Sequence, residues 1–483
     1  MKKSILNALR SSIQGEILAG KEFREFYSVD ASSYQIIPKI ILVPKNEKDV
    51  INAVKIAKRF GMPVTARGSG TGLVGSALNR GIILDLKNFH SCAIGKNYAI
   101  VGSGIPKGLL DMKLEEENKF FPPNPSIGSF CSIGGMLGNN SSGSRSLKYG
   151  SVIDNILEIT FVDGNGRKIV LPKNKKTSKK ILGIVAKIDK TRIPKVTKNS
   201  SGYRIDKIDS IKDAHKIITG SEGTLGIILS AKLKIKDKPK KRVLYIIGYK
   251  STQKAAKECI EINSTNPSAI EFVDKPTLDQ IKFEFGKKIN CLLFVEYDNK
   301  TESRDKKLSL IVTGEIIQKL KRDSEIFQWW KYRDSSLHFS LKSIKKEKRM
   351  PHVIEDAAVP LEKLPKLFKI IARMNKKYKT KSIVYGHAGN GNLHVRLISD
   401  RQNPEHIKSI ATDYFDKIIK IGGTITAEHG DGLARSEFIK NQYGSKNYRI
   451  FKEIKQFFDP ENVLNPDKII TKKSTIAKKI KNF

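Results

Sequence analysis

The sequence predicts a protein of two or three domains that contain both helices and strands, in an α/β or α+β pattern. Its 483 residues exceed the size of one ordinary hydrophobic core, which favours two or three domains. In the first half, short apolar runs alternate with helical stretches, as strands and their covering helices do. A second apolar series begins beyond a lysine-rich boundary at residues 234–241.

The strands and helices of the first half are predicted from apolar runs and from the residues that start and end them. A helix is predicted from Asp49 to Phe60, because Asp49 is a favourable first residue and Gly61-Met62-Pro63 ends the pattern. Residues 164–211 are rich in lysine and are predicted to be loop-like, whereas residues 220–228 return to an ordered glycine motif. The predicted strands are Ile40–Val43, Pro63–Thr65 and Ile82–Leu86.

The second half predicts another sheet with covering helices. A helix is expected over Gln253–Glu261, and an amphipathic helix over Asn447–Phe458 that Asp459-Pro460 stops. The predicted strands are Val243–Ile247, Leu292–Glu296, Ile383–Tyr385 and Val395–Leu397.

The charge of the chain is high but spread out. The formal net charge is +40, mostly from lysines scattered along the whole sequence, and basic runs such as Lys173–Lys180 are not interleaved with aromatic residues. No zinc-finger spacing or other nucleic-acid motif is present, so a solvated basic surface is expected rather than specific nucleic-acid binding. Peripheral contact with an anionic membrane remains open.

The cysteines and the N-terminus indicate a reducing compartment. The four cysteines lie far apart without a Cys-x-x-Cys pair, which argues against an iron–sulfur cluster and a disulfide framework. Asn7 and Arg10 break the first apolar stretch before signal-peptide length, and no run approaches a membrane span. We therefore expect a cytoplasmic protein, with peripheral attachment to the inner face of a membrane as an option.

Two short motifs in the second half offer the ligands of one metal site. His387, His394 and Glu428 supply two imidazole nitrogens and a carboxylate, a set that leaves a position open on a divalent ion. His429 is then free to act as a base. On a flat strand, residues seven apart face opposite sides, so the glycines at 389 and 391 must turn or bulge the chain. The alternative is a hairpin with two surface histidines.

Three loops of the first half are rich in glycine, asparagine and serine. Such loops let backbone N–H groups converge on an anion and allow close backbone approach to a ligand, so together they could hold a large dinucleotide such as FAD. The first is neither a Rossmann fingerprint nor a P-loop. The three loops are Arg67–Gly75, Pro122–Gly143 and Gly220–Ile227.

Taken in order from about Pro38 to Lys468, these segments resemble the FAD-dependent D-2-hydroxy-acid dehydrogenases. This group of the vanillyl-alcohol oxidase superfamily includes the glycolate oxidase catalytic subunit, D-lactate dehydrogenase and D-2-hydroxyglutarate dehydrogenase. The resemblance extends to Asp30–Tyr34, Lys148–Gly150, Ala269–Asp274, Trp330–Arg333, Val359-Pro360 and Phe458–Pro466.

The resemblance implies an α+β fold with a two-part FAD-binding domain of the vanillyl-alcohol oxidase (PCMH) type and an α+β cap with an antiparallel sheet. The implied division is residues 1–235 for FAD binding, 236–445 for the cap with its substrate and metal sites, and 446–483 for a segment that packs back on the FAD domain. FAD is expected to be non-covalent, because Arg67–Leu78 contains no histidine to link it. The expected cofactor-binding residues are Arg67, Gly68, Ser69, Gly70, Thr71, Gly72, Pro123, Asn124, Gly134, Gly135, Asn139, Ser142, Gly143, Tyr149, Glu222, Gly223, Gly226 and Ile227.

The implied reaction is oxidation of a D-2-hydroxy acid, such as D-lactate, glycolate or D-2-hydroxyglutarate, to the keto acid. The cation would be zinc, with manganese or cobalt as alternatives, and His429 would take the hydroxyl proton. Arg333 is expected to bind the substrate carboxylate, with Asn392 as a further contact and Arg396 and Arg435 as weaker candidates. A surface ion-pairing arginine is the alternative for Arg333, and a helix-start acid with a capping histidine is the alternative for Glu428 and His429.

The sequence departs from the family pattern at Asn390, Asn124 and Asn140–Ser142. Asn390 stands where the family has an aspartate, so we expect less negative charge near the metal. Electrons would pass to a quinone, a cytochrome, an iron–sulfur partner subunit or oxygen. Two other functions remain open: a non-oxidative flavoenzyme similar to alkylglycerone-phosphate synthase, and a flavin-holding subunit whose basic surface contacts a membrane or nucleic acid.

Overall fold

The structure is a computed structural model that describes residues 3–281, 283–286, 288–299, 301–343, 352–400, 403–472 and 474. Residues 475–483 of the predicted C-terminal segment lie outside this description. In the described part, no helix has the length and apolar character needed to cross a lipid bilayer. The four cysteines are free thiols.

Two sheets form the first half of the chain. The first is mixed, in the order β1-β2-β4-β3, with β2, β4 and β3 parallel to one another and β1 antiparallel at one edge. The second is antiparallel, in the order β5-β6-β10-β8-β9, and β7 and β11 pair beside it. The strands are β1 Glu16–Leu18, β2 Ile40–Val43, β3 Val64–Arg67, β4 Ile82–Asp85, β5 Cys92–Ile94, β6 Tyr98–Gly102, β7 Lys119–Phe120, β8 Ile156–Val162, β9 Lys168–Leu171, β10 Ile227–Lys234 and β11 Lys236–Asp237.

The second half contains one six-stranded antiparallel sheet in the order β15-β12-β14-β13-β16-β17. Helices cover this sheet and the other two. This arrangement confirms the predicted α+β architecture. The strands are β12 Arg242–Tyr249, β13 Ala269–Asp274, β14 Cys291–Asp298, β15 Glu315–Leu320, β16 Lys381–Gly386 and β17 His394–Ile398. The helices are α1 Lys3–Arg10, α2 Lys21–Phe26, α3 Glu47–Arg59, α4 Lys107–Glu116, α5 Ile133–Asn139, α6 Ser146–Tyr149, α7 Lys175–Val185, α8 Thr252–Asn263, α9 Lys275–Leu278, α10 Thr301–Ile311, α11 Asp323–Asp334, α12 Ser336–Ser343, α13 Leu364–Tyr378, α14 Pro404–Lys420, α15 Gly432–Arg435 and α16 Ile439–Phe458.

Helix α3 begins before Asp49, which corrects the predicted start. The capping residue is Asn46, whose side chain accepts a hydrogen bond from the Asp49 backbone N–H at 3.1 Å. The Asp49 carboxylate is buried and accepts the N–H groups of Gln14, Gly15 and Lys45. Asp49 therefore joins the N-terminal segment to the first sheet.

The lysine-rich region 164–211 is more ordered than predicted, because it contains β9 and α7. The lysines of α7 are exposed, while Ile181, Ile184 and Val185 of the same helix are buried. Amphipathic spacing within the lysine run was the missed signal.

The C-terminal residues return to the first sheet. Helix α16 is interrupted at Gly444 (φ 71°) and continues to Phe458. The Val64 N–H then donates to the Val463 carbonyl and the Asn465 N–H to the Val64 carbonyl, each at 2.8 Å. The division at residues 235 and 445 stays a prediction, but these bonds show which part of the chain the tail contacts.

Candidate active site

One cavity brings the three glycine loops of the first half together with the histidine motifs of the second. Its lining includes residues 66–73, 125–127, 131–132, 134–136, 138–139, 141–144 and several residues between 222 and 228 from the first half. From the second half it includes Arg333, Asp334, Tyr385, His387, His394, Arg396, Glu428 and His429. The two predicted sites therefore share one cleft.

The first loop fits the pyrophosphate of a dinucleotide. Within the described part of the chain, none of the backbone N–H groups of residues 68–72 donates a hydrogen bond, and all these residues line the cavity. Backbone donors without a protein partner need water or a ligand, and neighbouring N–H groups of this kind form an anion-binding concavity. The backbone N–H groups of residues 68–72, which have no protein acceptor, are the observation that supports FAD as a ligand of this cleft.

The second and third loops close around the same space. Ser132 caps α5 by accepting the Gly135 N–H at 3.2 Å, and Gly134 and Gly135 line the cavity. A Cβ on Gly134 would stand 2.8 Å from the Ser103 carbonyl oxygen, so only glycine permits this approach. The Glu222 carboxylate is used within the protein, because it accepts the N–H groups of Asp431 and Gly432. Burial raises the pKa of Glu222 to about 8.

Four expected cofactor-binding residues do not line this cavity. Ile227 is buried in the hydrophobic core, and Pro123 is a buried residue of the second loop. Asn124 and Tyr149 line a separate cavity, where the Tyr149 hydroxyl donates to Asp298. A resemblance along the sequence places a residue near a loop, but it does not determine which side of the loop the side chain takes.

Gly72 offers a test of cofactor binding that spares the backbone. A Cβ on Gly72 would be 3.5 Å from Ser76 Oγ and 3.7 Å from Asn139 Nδ2, which are ordinary contacts. Gly72→Leu is therefore expected to fill the cleft without straining the chain, and to reduce FAD content at least about tenfold, because a displaced cofactor loses its contacts along the loop. Flavin absorbance per protein measures this. Gly183→Leu is the control, since Gly183 is exposed on α7. Normal FAD content in Gly72→Leu would contradict the placement.

The two histidines of the β16–β17 hairpin converge on Glu428. His387 follows β16 and His394 begins β17, and the turn between them uses Gly391 at φ 65°. Gly386 also has a positive φ, of 142°, whereas Gly389 does not. The turn was expected at 389 and 391, and the chain does turn there, because Gly389 lies in a 3-10 turn over Ala388–Asn390 that Gly391 follows. The positive φ of Gly386 was not expected. Glu428 Oε1 lies 2.9 Å from His387 Nε2 and 3.3 Å from His394 Nε2.

This cluster has the donor set of a divalent metal site. Glu271 Oε1 lies 2.8 Å from His387 Nδ1, so a proton on Nδ1 leaves the Nε2 lone pair directed at Glu428. A second carboxylate behind a ligating imidazole is a common outer-shell arrangement at metal sites. For His394, burial lowers the pKa to about 4, so the ring is neutral at pH 7. The three predicted ligands are thus together and buried in the cavity.

Within the described part of the chain, Asp356, His394, Glu428 and His429 form a group whose possible ligand atoms all lie within 4.8 Å of one another, and this group leaves out His387. Asp356 is the poorest of these, because its Oδ2 already accepts the backbone N–H groups of residues 427, 428 and 429 and the Thr426 hydroxyl. Asn392 also donates to Oδ1, at 3.2 Å. Asp356 therefore fixes the turn that presents Glu428, and His387, His394 and Glu428 are the better ligand set.

Glu428 also contacts the second glycine loop through its other oxygen. Oε2 accepts the Ser142 hydroxyl at 2.6 Å and the Gly143 N–H at 3.1 Å, and Lys198 Nζ lies 2.9 Å away. Burial opposes its ionisation, but His387 and Lys198 outweigh this and hold the pKa of Glu428 well below its usual range. Ser142 and Gly143, expected to bind FAD, therefore connect the cofactor loop to the histidine cluster.

His429 is held from behind by a carboxylate. Its Nδ1 lies 2.7 Å from Glu355 Oε1, its ring stacks on His394 at 5.0 Å between centroids, and its Nε2 is 3.7 Å from Glu428 Oε1. Burial favours the neutral ring, but Asp356 and Glu355 outweigh it and raise the pKa of His429 to about 9. Nε2 is thus the atom available for proton exchange in the cavity.

Comparison with known proteins agrees with this arrangement. Residues 38–171 match the family model of the FAD binding domain, and residues 238–469 match that of the C-terminal domain of FAD linked oxidases. The chain is 29% identical to the glycolate oxidase subunit GlcD of Bacillus subtilis, over 93% of each chain. It is 26% identical to the D-lactate dehydrogenase of Archaeoglobus fulgidus, over 90% of this chain and 91% of that one.

The chain belongs to the FAD-linked oxidase family. The prediction of an FAD-dependent oxidoreductase is thereby confirmed. Its fold is similar to that of alkyldihydroxyacetonephosphate synthase, with a TM-score of 0.70 and 18% identity, over 96% of this chain and 86% of that chain. At this identity the likeness concerns the fold alone.

Arg333 and Asn392 differ in their relation to the cleft. Arg333 is buried, lines the cavity and pairs with Glu271 through Nε and Nη2, at 2.6 and 2.5 Å. Nη1 is not used in that pair. Asn392 does not line the cavity, because its amide donates to Asp356 and to the Ala357 carbonyl below the cluster. The expected substrate contact of Asn392 is therefore corrected to a supporting role.

The other polar residues that the sequence analysis named near the site differ in whether they reach the cavity. Arg435 is fully buried and donates to Glu355 and to the carbonyls of Val353 and Gly430, so it supports the site from behind. Arg396 lines the cavity. Asn390 contacts Ser146 and Thr197 rather than the imidazoles, so its proposed effect on the metal would be indirect.

Sequence analysis missed four residues that contact His387, Glu428 or His429: Lys198, Glu271, Glu355 and Asp356. Glu271 lies in the stretch that resembles the family, and Glu355-Asp356 precedes Val359-Pro360, so adjacent carboxylates near a quoted motif were an available signal. Lys198 lies in the lysine-rich region and differs from its neighbours only by being buried, which one sequence does not show.

Proposed function

We propose that the protein oxidises a D-2-hydroxy acid to the 2-keto acid, with FAD and a divalent cation in the shared cleft. The proposal rests on one observation: His387, His394, Glu428 and His429 line the same cavity as the unpaired N–H groups of residues 68–72. Support also comes from relatives named glycolate oxidase, D-lactate dehydrogenase and D-2-hydroxyglutarate dehydrogenase.

The chemistry divides between the bound groups and the side chains. FAD, when bound, supplies the acceptor for the Cα hydrogen and its electron pair. A divalent cation held by His387, His394 and Glu428 supplies Lewis acidity toward the substrate hydroxyl. Zinc suits two imidazoles and a carboxylate, and manganese or cobalt are the alternatives.

His429 takes the hydroxyl proton on Nε2. Glu355 accepts from Nδ1 and so fixes the ring orientation and the tautomer with Nε2 unprotonated. A pKa near 9 makes the ring a strong base but leaves it largely protonated at pH 7. A neighbouring cation favours the neutral form, so cation binding would bring His429 into its working state.

Arg333 orients the substrate by binding its carboxylate. The guanidinium is kept charged and in place by Glu271, which also contacts His387. One carboxylate thereby aligns the proposed anion-binding group with a proposed ligand, so both are positioned before the substrate binds.

The experiment is anaerobic mixing of the holoprotein with D-lactate, glycolate and D-2-hydroxyglutarate. Flavin absorbance should bleach with at least one acid, and metal content is determined on the same sample. L-lactate is the stereochemical control and should bleach the flavin much more slowly. Absence of bleaching by all three acids, with metal supplied, would contradict the proposal and favour a non-oxidative flavoenzyme or a flavin-holding subunit.

A further inference from the structure

Arg396 is a buried cation in the cleft whose hydrogen bonding is incomplete. It lies two residues beyond His394 on β17, and the strand alternation places both side chains on the cavity face. Its Nε lies 3.3 Å from the Tyr385 hydroxyl, and its Nη2 lies 3.6 Å from Glu355 Oε2. Among the described residues, Nη1 has no hydrogen-bond partner although Arg396 is only 5% exposed.

The carboxylate nearest to Arg396 has other partners as well. Glu355 Oε1 already accepts from His429 at 2.7 Å and from Arg435 at 2.9 Å, so Arg396 shares this carboxylate with two other groups. Arg333 by contrast has the Glu271 carboxylate at 2.5 Å. A buried guanidinium remains charged at any working pH and needs acceptors. An anionic ligand in the cavity would complete the hydrogen bonding of Nη1.

The position of Arg396 separates it from Arg333. Arg333 Nη2 is 3.5 Å from His387 Nδ1, and its guanidinium carbon is 5.9 Å from the centre of the Tyr385 ring. Arg396 Nε approaches the hydroxyl of the same tyrosine, so the two guanidinium groups lie near different parts of Tyr385. Two residues along a strand span about 7 Å, so Arg396 is displaced along β17 from His394, a proposed metal ligand.

We propose that Arg396 binds a second anionic group on the substrate, so that the preferred acid is a 2-hydroxydicarboxylate rather than a monocarboxylate. The inference rests on the proposed function, in which Arg333 binds the carboxylate next to the hydroxyl. Arg396 then determines which 2-hydroxy acids the protein prefers, because it binds a carboxylate on the side chain of the substrate. The oxidation itself is unchanged, because the second carboxylate takes no part in it.

The experiment compares kcat/KM for D-2-hydroxyglutarate and D-lactate in the FAD- and metal-loaded protein. The wild type should prefer the dicarboxylate, and Arg396→Leu should lower the ratio of the two values by at least about 30-fold, as expected for losing hydrogen bonds between charged groups. Arg396→Lys should recover part of the ratio. Arg373→Leu is the control, because Arg373 is exposed on α13. A ratio within threefold of wild type would show that Arg396 only balances Glu355.

A binding measurement on the wild type distinguishes this inference from the proposed reaction. Glutarate and butyrate lack the hydroxyl, so their binding can be followed by perturbation of the oxidised flavin spectrum without turnover. Glutarate should bind at least about tenfold more tightly than butyrate. Equal affinities would overturn the role of Arg396 even if hydroxy acids bleach the flavin. A preference for glutarate without bleaching by any hydroxy acid would overturn the reaction and leave the anion site standing.

Discussion

Replacing Glu428 by glutamine is expected to remove the bound cation and to lower kcat/KM by at least about a thousandfold, since the Lewis acid contributes several kcal/mol. Glu428 Oε1 is the point on which His387 Nε2 and His394 Nε2 converge, at 2.9 and 3.3 Å. A neutral amide keeps the size of the side chain but removes the anionic ligand. Elemental analysis and steady-state kinetics on one preparation measure both effects.

The control is Glu261→Gln, because Glu261 is exposed on α8 and far along the chain from the cluster. Flavin absorbance and the melting temperature of Glu428→Gln show whether the variant is folded and holds FAD. A variant that keeps its FAD, its metal and more than a tenth of its activity would show that Glu428 is a structural acceptor for Lys198 and Ser142 and not a ligand.

The contacts of Glu428 also couple the two halves of the site. The carboxylate reaches the histidines with one oxygen and the second glycine loop with the other. The loop proposed to hold FAD and the side chain proposed to hold the cation are therefore parts of one hydrogen-bonded unit. Loss of either bound group is expected to loosen the other, since both bias the position of the same residue.

Much of the fold is predictable from the sequence, because buried strands appear as short apolar runs. Ile40–Val43 is a strand with these bounds in the structure, and the predicted strand Leu292–Glu296 forms the middle of β14. The start of α3 is predicted late because asparagine and aspartate are both good capping residues, and only the structure shows that Asn46 caps while Asp49 turns inward.

Sequence analysis can identify a site residue whose type itself indicates the chemistry, such as a histidine for metal binding. It does not identify residues that act by holding another side chain in place. His387, His394 and Glu428 are identifiable by residue type as the proposed ligands, although only the fold brings position 428 to the hairpin. Asn392 has the right type for a substrate contact, yet its amide is used by Asp356. Supporting residues depend on burial and direction, which follow from tertiary packing and leave no local pattern.

Replacing His429 by asparagine is expected to lower kcat by about 10²- to 10⁴-fold, the usual contribution of a general base. The asparagine amide can occupy the place of Nδ1 and donate to Glu355, so the contact that measures 2.7 Å in the structure can be kept. What is lost is Nε2, the atom that faces the cavity. Metal and FAD contents should stay close to wild type, which separates this variant from Glu428→Gln.

The pH profile distinguishes a base from a positioning residue. The reactive form of His429 is neutral, so wild-type kcat should increase as the pH rises toward the pKa of the ring, and this limb should be absent in His429→Asn. The pKa of about 9 describes the ring beside Asp356 and Glu355, and a bound cation moves the limb to lower pH. His90→Asn, at an exposed position, is the control and should keep the wild-type profile. A His429→Asn protein with lower activity but an unchanged rising limb would assign the proton transfer to another group.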